Sequence, residues 1–369
     1  MSRQYDEKLV KVIKGKQYTE MRRDVEIIVK PIPDCDDKGA VDPRLLKSSK
    51  KMALLMKFMP KSMMKMDASP KSVQRLRKIF NNVDSTPIVT KGFTRDNRTV
   101  KAADGFDIPV SIFKSDVTMP NAPILYFIHG GGFFAGSTDV VADALQLFVT
   151  TTNMIAVGVD YRLAPENPYP TGHEDCYTVL KWIAKEAESF GGDAKNIFVG
   201  GDSAGGNLTL YCSNRSLEDQ LNLVRGQLLF YPTVNMGGIK DKYTEFTMDD
   251  IAIYPPHDKY IRPGFEMFSS ATTSLTDLLG DKADPMTKYL TPYMDVSKDS
   301  PVTFISSGEH DFLTIESLAY AKKLNDLGVE TTFTHYNGLG HAYLDHIGNY
   351  PQAEDCVADI GEFMRKNRV

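Results

Sequence analysis

Short apolar runs alternate with segments of helical periodicity from about residue 94 to the end of the chain. Continuous apolar runs indicate strands buried on both faces, whereas apolar residues three and four positions apart indicate helices with one buried side. We predict strands at 122–129, 153–161, 195–201, 226–232, 301–308 and 330–336, and helices at 174–190, 204–214, 315–328 and 353–367. A hairpin is predicted at 98–114, around Asp104-Gly105. This alternation is typical of an α/β fold with a mostly parallel sheet flanked by helices.

The N-terminal 92 residues differ from the rest, because they are rich in Lys and Met and poor in strand signals. We therefore predict an N-terminal helical cap or lid at 1–92 and a main α/β domain at 93–369. Residues 45–66 form a helical pattern with Lys on one face and Met on the other, and Pro60 is expected to kink it. Such a helix either contacts a membrane or a lipid substrate or packs on its own domain, and we favour packing.

Residues 235–290 interrupt the alternation of strands and helices. The segment is aromatic and irregular, and it is longer than a plain connection between two strands. We interpret it as a cap insertion, and the alternative is a surface excursion without a role.

Composition narrows the classes of function. The chain has 369 residues and a net charge of −5, which argues against nucleic acid as the main partner. The four cysteines are scattered, so we expect buried free thiols and no metal or disulfide framework. Because the charged N-terminus lacks an apolar signal core and no apolar run is long enough to span a bilayer, we expect a cytoplasmic protein.

The chemistry of the chain centres on a Gly-x-Ser-x-Gly motif at 201–205. A predicted strand precedes it and a predicted helix follows it, which is the setting of a nucleophile elbow. In such an elbow a sharp turn exposes the Ser hydroxyl, and small neighbours let the chain turn so tightly. Ser203 is therefore the candidate nucleophile.

A Ser hydroxyl needs a base, and in chains with this elbow the partners follow in the order Ser, acid, His. His310, His335, His341 and His346 satisfy the order. We favour His341, since it stands in a glycine-bearing loop directly after a predicted strand.

The acid that orients the base is expected in the loop after the strand at 301–308. That loop offers Glu309 and Asp311. We favour Asp311, which lies deeper in the loop, as the residue that holds the imidazole in the right tautomer.

A second glycine cluster, "HGGGFF" at 129–134, follows the strand at 122–129. Loops of this type supply backbone N–H groups to an oxyanion hole, and we assign this role to Gly130, Gly131 and Ala204. Phe133 and Phe134 are expected to pack near the pocket, and His129 to anchor the loop by a hydrogen bond. Tyr161, Arg162 and Glu166 are interpreted as residues whose polar groups hold the same loop in place.

The chain resembles the hormone-sensitive-lipase family of α/β-hydrolase esterases. The resemblance rests on "HGGGF" at 129–133, "DYRLAPE" at 160–166, "GDSAGG" at 201–206, "GEHDFL" at 308–313 and "GHAY" at 340–343, and it covers residues 94 to 369. It implies an α/β-hydrolase catalytic domain with Ser203, Asp311 and His341 as the triad. It also implies hydrolysis of carboxylic esters without a metal or organic cofactor, beneath a cap from the N-terminal region and from 235–290.

The expected activity is therefore that of a serine carboxylesterase on small to medium acyl esters. Two alternatives stay open: an amidase or deacetylase with the same triad, and a ligand-binding protein on an inactive hydrolase scaffold. The expected partner is a small-molecule ester. The sequence leaves the oligomeric state open, a homo-oligomer included.

Overall fold

A ten-stranded sheet forms the centre of the computed structural model, which describes residues 3–56 and 69–369. Its strands are β1 Tyr18–Arg22, β2 Val25–Lys30, β3 Phe93–Lys101, β4 Asp107–Ser115, β5 Ala122–Ile128, β6 Ile155–Val159, β7 Gly192–Asp202, β8 Gly226–Phe230, β9 Val302–Gly308 and β10 Thr331–Tyr336. Their order across the sheet is β1-β2-β10-β9-β8-β7-β5-β6-β4-β3. Strands β2, β10, β9, β8, β7, β5 and β6 are parallel, and the other three pair antiparallel with their neighbours. The predicted α/β fold with a mostly parallel sheet is confirmed.

Helices cover both faces of this sheet. They are α1 Lys8–Lys16, α2 Pro43–Met56, α3 Pro70–Phe80, α4 Thr138–Thr152, α5 Thr171–Glu186, α6 Ala204–Glu218, α7 Asp258–Leu279, α8 Thr314–Asp326 and α9 Pro351–Asn367. Helices α5, α6 and α8 pack on one face, while α1, α4 and α9 pack on the other. Helix α4 is absent from the sequence-based prediction.

Strand β5 shows why the central strands are continuously apolar. Ile124 and Ile128 point towards α5 and α6, whereas Leu125 and Phe127 point towards α4 and α9. All four side chains are buried. Burial on both faces removes the polar alternation of a half-exposed strand.

The prediction of a helical cap over residues 1–92 is wrong for residues 18–30. These residues form β1 and β2, and β2 pairs in parallel with β10. Val25, Ile27 and Val29 are buried in the core under α8. Because this pairing covers the edge of the sheet at β10, the segment belongs to the main body.

A buried ion cluster fixes β2 to α9. Lys30 Nζ lies 2.9 Å from carboxylate oxygens of both Asp355 and Asp359, and its side chain is 2% exposed. The hydroxyl of Tyr336, on the neighbouring strand β10, donates to Asp355 Oδ2 at 2.9 Å. Lys30 is the last residue of β2. Its charge is paired with carboxylates, as a buried ammonium group requires.

Helices α2 and α7 contact each other. Helix α2 covers the first part of the predicted 45–66 helix, and residues 57–66, including Pro60, lie outside the described residues. Helix α7 belongs to the 235–290 segment, and Ile261 and Phe265 of this helix pack in one cluster with Leu45 of α2. No helix within 3–56 and 69–369 is long and apolar enough to cross a bilayer.

Candidate active site

Ser203 occupies the turn between β7 and α6. Its backbone has φ 54° and ψ −117°, a conformation with positive φ that costs energy for a residue with a side chain. The neighbouring strand holds the turn, since Ser203 N donates to Phe230 O at 2.9 Å. Thr233 N donates to Ser203 O at 3.1 Å. The surrounding backbone therefore keeps the strained turn in place, with its hydroxyl directed into a cavity.

The glycines beside Ser203 are required by a close approach of strand β5. A Cβ atom on Gly201 would lie 2.5 Å from the carbonyl oxygen of Ile128, and one on Gly205 would be closer still to the same oxygen. The end of β5 thus packs directly against the turn. Any side chain at either position would displace Ser203.

His341 and Asp311 complete a chain of hydrogen bonds that starts at Ser203. His341 Nε2 lies 2.9 Å from Ser203 Oγ, and His341 Nδ1 lies 2.9 Å from Asp311 Oδ2. Since a carboxylate only accepts, Nδ1 carries the proton and Nε2 is free to accept the Ser hydroxyl proton. Asp311 is fully buried, and its Oδ1 accepts from Leu313 N at 2.8 Å. The structure thus brings together the three residues selected from the sequence.

The other candidate residues have different partners. His335 is buried and contacts Arg22, with 2.7 Å between Nε2 and Nη1. His310 and His346 hydrogen-bond backbone carbonyl oxygens instead. Glu309 accepts from a backbone N–H at 2.9 Å, and burial raises its pKa to about 7. Of the two acids considered, Asp311 is the one that faces the imidazole of His341.

The oxyanion-hole assignment of Gly130 is wrong. Gly130 N donates to Asp202 Oδ1 at 2.7 Å, so this N–H group is already occupied. The N–H groups of Gly131, Gly132 and Ala204 have no hydrogen-bond partner within the described part of the chain. Gly131 and Gly132 have φ values of 107° and 60°, which glycine adopts without strain. The sequence pattern identified the loop but gave no sign of which glycines carry free N–H groups.

His129 and Tyr161 hold the beginning of this glycine loop. The two rings stack with their centroids 4.4 Å apart, and the hydroxyl of Tyr161 donates to His129 O at 3.1 Å. His129 Nδ1 lies 2.8 Å from Gly130 O, and burial lowers the pKa of the imidazole. A neutral His129 with a proton on Nδ1 donates to that carbonyl oxygen, so it supports the loop as expected.

The far end of the glycine loop is held by Arg77 of α3, which sequence reasoning missed. Arg77 Nε donates to Phe134 O at 2.5 Å, and Nη2 donates to Ala164 O at 2.7 Å. Arg77 also pairs with Glu166, with 2.8 Å from Nη1 to Oε1. Glu166 thus acts on the loop through Arg77. Arg162, which was assigned a similar role, instead pairs with Asp175 of α5 at 2.8 Å.

Arg77→Lys is expected to lower kcat for an ester substrate about tenfold with little change in KM. A Lys side chain lacks the planar fork that joins Phe134 O, Ala164 O and Glu166, so the loop loses roughly one hydrogen bond of support. Steady-state kinetics on a p-nitrophenyl ester measures the effect. Arg98→Lys is the matched control, because Arg98 pairs with Asp96 on the exposed strand β3. Equal kcat values for the two variants, at unchanged Tm, would refute a positioning role for Arg77.

Apolar side chains line the small cavity in front of Ser203. Phe133 and Phe134, expected near the pocket, both line it and are buried. Phe80 of α3 meets Phe134 edge to face at 5.4 Å, and Leu275 of α7 lines the same cavity. Residues from 1–92 and from 235–290 therefore cover the site.

Within residues 3–56 and 69–369, no group of three or more His, Cys, Asp or Glu side chains is arranged to hold a metal ion.

Comparison with known families gives a match over most of the main domain. Residues 125–345 match the model of a family described as alpha/beta hydrolase fold. This range contains the glycine loop, Ser203, Asp311 and His341.

Two esterases of known name are similar to this chain over more than 260 residues. The carboxylesterase NlhH of Mycobacterium tuberculosis is 30% identical over 265 residues, which are 71% of this chain and 79% of the relative. The versiconal hemiacetal acetate esterase of Dothistroma septosporum is 30% identical over 271 residues, which are 72% of this chain and 79% of the relative.

Solved structures share the fold at lower sequence identity. A thermostable esterase from Pseudomonas putida has a TM-score of 0.71 at 23% identity and covers 89% of this chain and 98% of its own. The Pyrobaculum calidifontis esterase has a TM-score of 0.68 at 23% identity and covers 88% of this chain and 98% of its own. At this level of identity the likeness concerns the fold alone.

Proposed function

The chain belongs to the alpha/beta-hydrolase family, and on this premise we propose that it is a serine carboxylesterase acting on small to medium acyl esters. Two of its relatives are named as a carboxylesterase and an acetate esterase. The observation that carries the proposal is the continuous hydrogen-bond chain from Asp311 through His341 to Ser203. A nucleophile, a base and an orienting acid in this geometry are the requirements of acyl transfer.

In the first step Ser203 Oγ attacks the ester carbonyl carbon while His341 Nε2 takes the hydroxyl proton. Asp311 stabilises the resulting imidazolium from the Nδ1 side. The C–O bond to the alcohol then breaks, and the imidazolium returns its proton to the leaving oxygen. A water molecule attacks the acyl-enzyme with His341 again as base, and the acid is released with Ser203 restored.

The negative charge that forms on the carbonyl oxygen needs fixed hydrogen-bond donors. We assign this role to the N–H groups of Gly131, Gly132 and Ala204. Ala204 opens helix α6, whose N-terminus also carries the positive end of the helix dipole. Such preorganised donors supply a large part of the rate enhancement in acyl transfer.

The proposed cap consists of parts of both regions outside the regular α/β alternation. Helix α3 contributes Phe80 and Arg77, and helix α7 contributes Leu275. Phe80 and Leu275 present apolar side chains to the cavity, and excluding water there strengthens the electrostatic interactions within it.

Labelling with a fluorophosphonate probe, followed by peptide mass spectrometry, tests the proposal. We expect the label on Ser203 and higher kcat/KM for p-nitrophenyl acetate than for the matched anilide, p-nitroacetanilide. Equal or faster cleavage of the anilide would indicate an amidase with the same triad. Absence of both labelling and turnover would indicate a ligand-binding protein on this scaffold.

A further inference from the structure

Two neighbouring cavities share one wall near Ser203. The catalytic cavity has a volume of about 70 Å³ and contains the side chains of Ser203 and His341 in its lining. The outer cavity has a volume of about 570 Å³ and reaches the surface near Lys240 and Asp277. Among the side chains that the structure describes, the two cavities have in common Asn235, Met236, Phe312, Leu313 and Glu316.

His341 determines on which side of the substrate the alcohol lies. Its Nε2 has to return a proton to the departing oxygen, so the alcohol must lie beside the imidazole. The ring of Phe312 lies 4.7 Å from that of His341, and Phe312 also lines the outer cavity. The outer cavity therefore begins where the alcohol leaves.

The opposite end of the catalytic cavity is bounded by Gly132, Phe134 and Leu275, which line the catalytic cavity and do not line the outer one. The side chains of Phe134 and Leu275 pack close to Gly132, since a Cβ atom there would lie 2.9 Å from the Phe134 ring and 3.0 Å from Leu275 Cδ2. Because the alcohol lies beside His341, the acyl chain must lie at this opposite end. At about 70 Å³ the catalytic cavity is much smaller than the outer cavity at about 570 Å³, so it suits the smaller part of the ester.

Glu316 stands at the boundary between the two cavities. Its Oε1 accepts from Val234 N at 2.8 Å, the backbone N–H of Asn235 also bonds the carboxyl group, and burial raises its pKa to about 7. A carboxylate offers about four acceptor positions, so it keeps capacity towards the cavity beside these two backbone bonds. In a wall otherwise formed largely by apolar groups, this carboxyl group distinguishes alcohols that carry a hydrogen-bond donor.

We infer that the substrate class is a short-acyl ester of a larger alcohol, with a hydroxyl or ammonium donor on the alcohol that binds Glu316. The outer cavity holds the alcohol, and its volume falls within the usual range for small-molecule sites. This inference rests on the proposed function. The reaction remains ester plus water giving a short carboxylic acid and the free alcohol.

Three acetate esters of matched length test the alcohol assignment: butyl acetate, 4-hydroxybutyl acetate and protonated 4-(dimethylamino)butyl acetate. Hydrolysis is followed by pH-stat titration above the raised pKa of Glu316, where its carboxyl group is charged. For the wild type we expect kcat/KM about tenfold higher for at least one donor-bearing ester than for butyl acetate, the effect of one hydrogen bond to a charged group. A higher kcat/KM for the hydroxyl ester or for the ammonium ester identifies which of the two donors the site binds.

Glu316→Gln removes the charge and keeps an oxygen that accepts from Val234 N. We expect the kcat/KM of the ammonium ester relative to that of butyl acetate to fall to about one. The same ratio for the hydroxyl ester should fall less, because the amide oxygen still accepts a hydrogen bond. Glu309→Gln is the matched control. It also replaces a buried carboxyl group held by a backbone N–H, but Glu309 lines neither cavity. Its ratios should equal those of the wild type.

Acyl length provides a second measurement. With p-nitrophenyl esters we expect kcat/KM to be highest at acetate or butyrate and at least about tenfold lower at octanoate. The octanoyl chain is too long for the end of the catalytic cavity beside Gly132, Phe134 and Leu275. Leu275→Ala should raise the octanoate-to-acetate ratio by enlarging that end.

Three outcomes would overturn the inference. The first is a wild-type kcat/KM for butyl acetate that equals or exceeds the values for both donor-bearing esters. The second is that Glu316→Gln leaves the kcat/KM ratios of the donor-bearing esters over butyl acetate unchanged, and the third is that kcat/KM for the p-nitrophenyl esters is highest at octanoate. The wild-type comparisons decide the matter even where a variant does not fold. Failure of the proposed function looks different, since the wild type would then hydrolyse none of these esters.

Discussion

Ser203→Ala is expected to lower kcat for p-nitrophenyl acetate by a factor on the order of 10⁶. Without the hydroxyl, no acyl-enzyme forms, and His341 has no proton to take. The residual rate would come from the oxyanion donors and from binding alone. Single-turnover measurements with a fluorophosphonate pre-treatment distinguish true residual activity from a contaminating esterase.

Ser213→Ala is the matched control for this substitution. Ser213 lies on the same helix α6, is buried, and lines a different cavity that contains none of the triad residues, so turnover should stay close to that of the wild type. Wild-type-like activity in the Ser203 variant would remove Ser203 from the mechanism.

Asp311→Asn is expected to lower kcat on the order of 10⁴ with an intact fold. The amide group of Asn donates where the carboxylate accepts, so it favours the imidazole tautomer with the proton on Nε2. That tautomer cannot accept the Ser203 hydroxyl proton. The pH profile of kcat/KM, together with Tm, separates this effect from a loss of stability.

Glu309→Gln gives the contrast within the same loop. Glu309 is buried and accepts from a backbone N–H, yet it does not contact His341, so kcat should change by no more than a few-fold. A large loss in Glu309→Gln together with a small one in Asp311→Asn would reverse the assignment of the acid.

The central part of the fold could be predicted from the sequence because its strands are buried on both faces. Strands β5 to β10 each appear as an apolar run, and the helices that follow β6, β7 and β9 show helical spacing. Strands β1 and β2 were missed because charged residues interrupt both of them and the N-terminal segment around them is rich in Lys and Met. Strand β2 is stabilised by pairing with β10, which is more than 300 residues away in the sequence, and β1 pairs with β2. Local propensity does not report such a distant partner.

Ser203, Asp311 and His341 were selected as candidates from the sequence by itself, because each follows a strand in a distinctive local pattern, and the parallel sheet brings those strand ends together. Only the tertiary structure decided which N–H groups of the glycine loop are free, since Asp202 occupies that of Gly130 across 72 positions of the chain. It alone revealed Arg77, whose bond to Phe134 spans 57 positions. The same holds for Glu316, whose place between two cavities depends on residues 235–236 and 312–313 forming one wall with it. A hydrogen bond or a cavity wall formed between distant segments has no period or motif, so it exists only once the chain has folded.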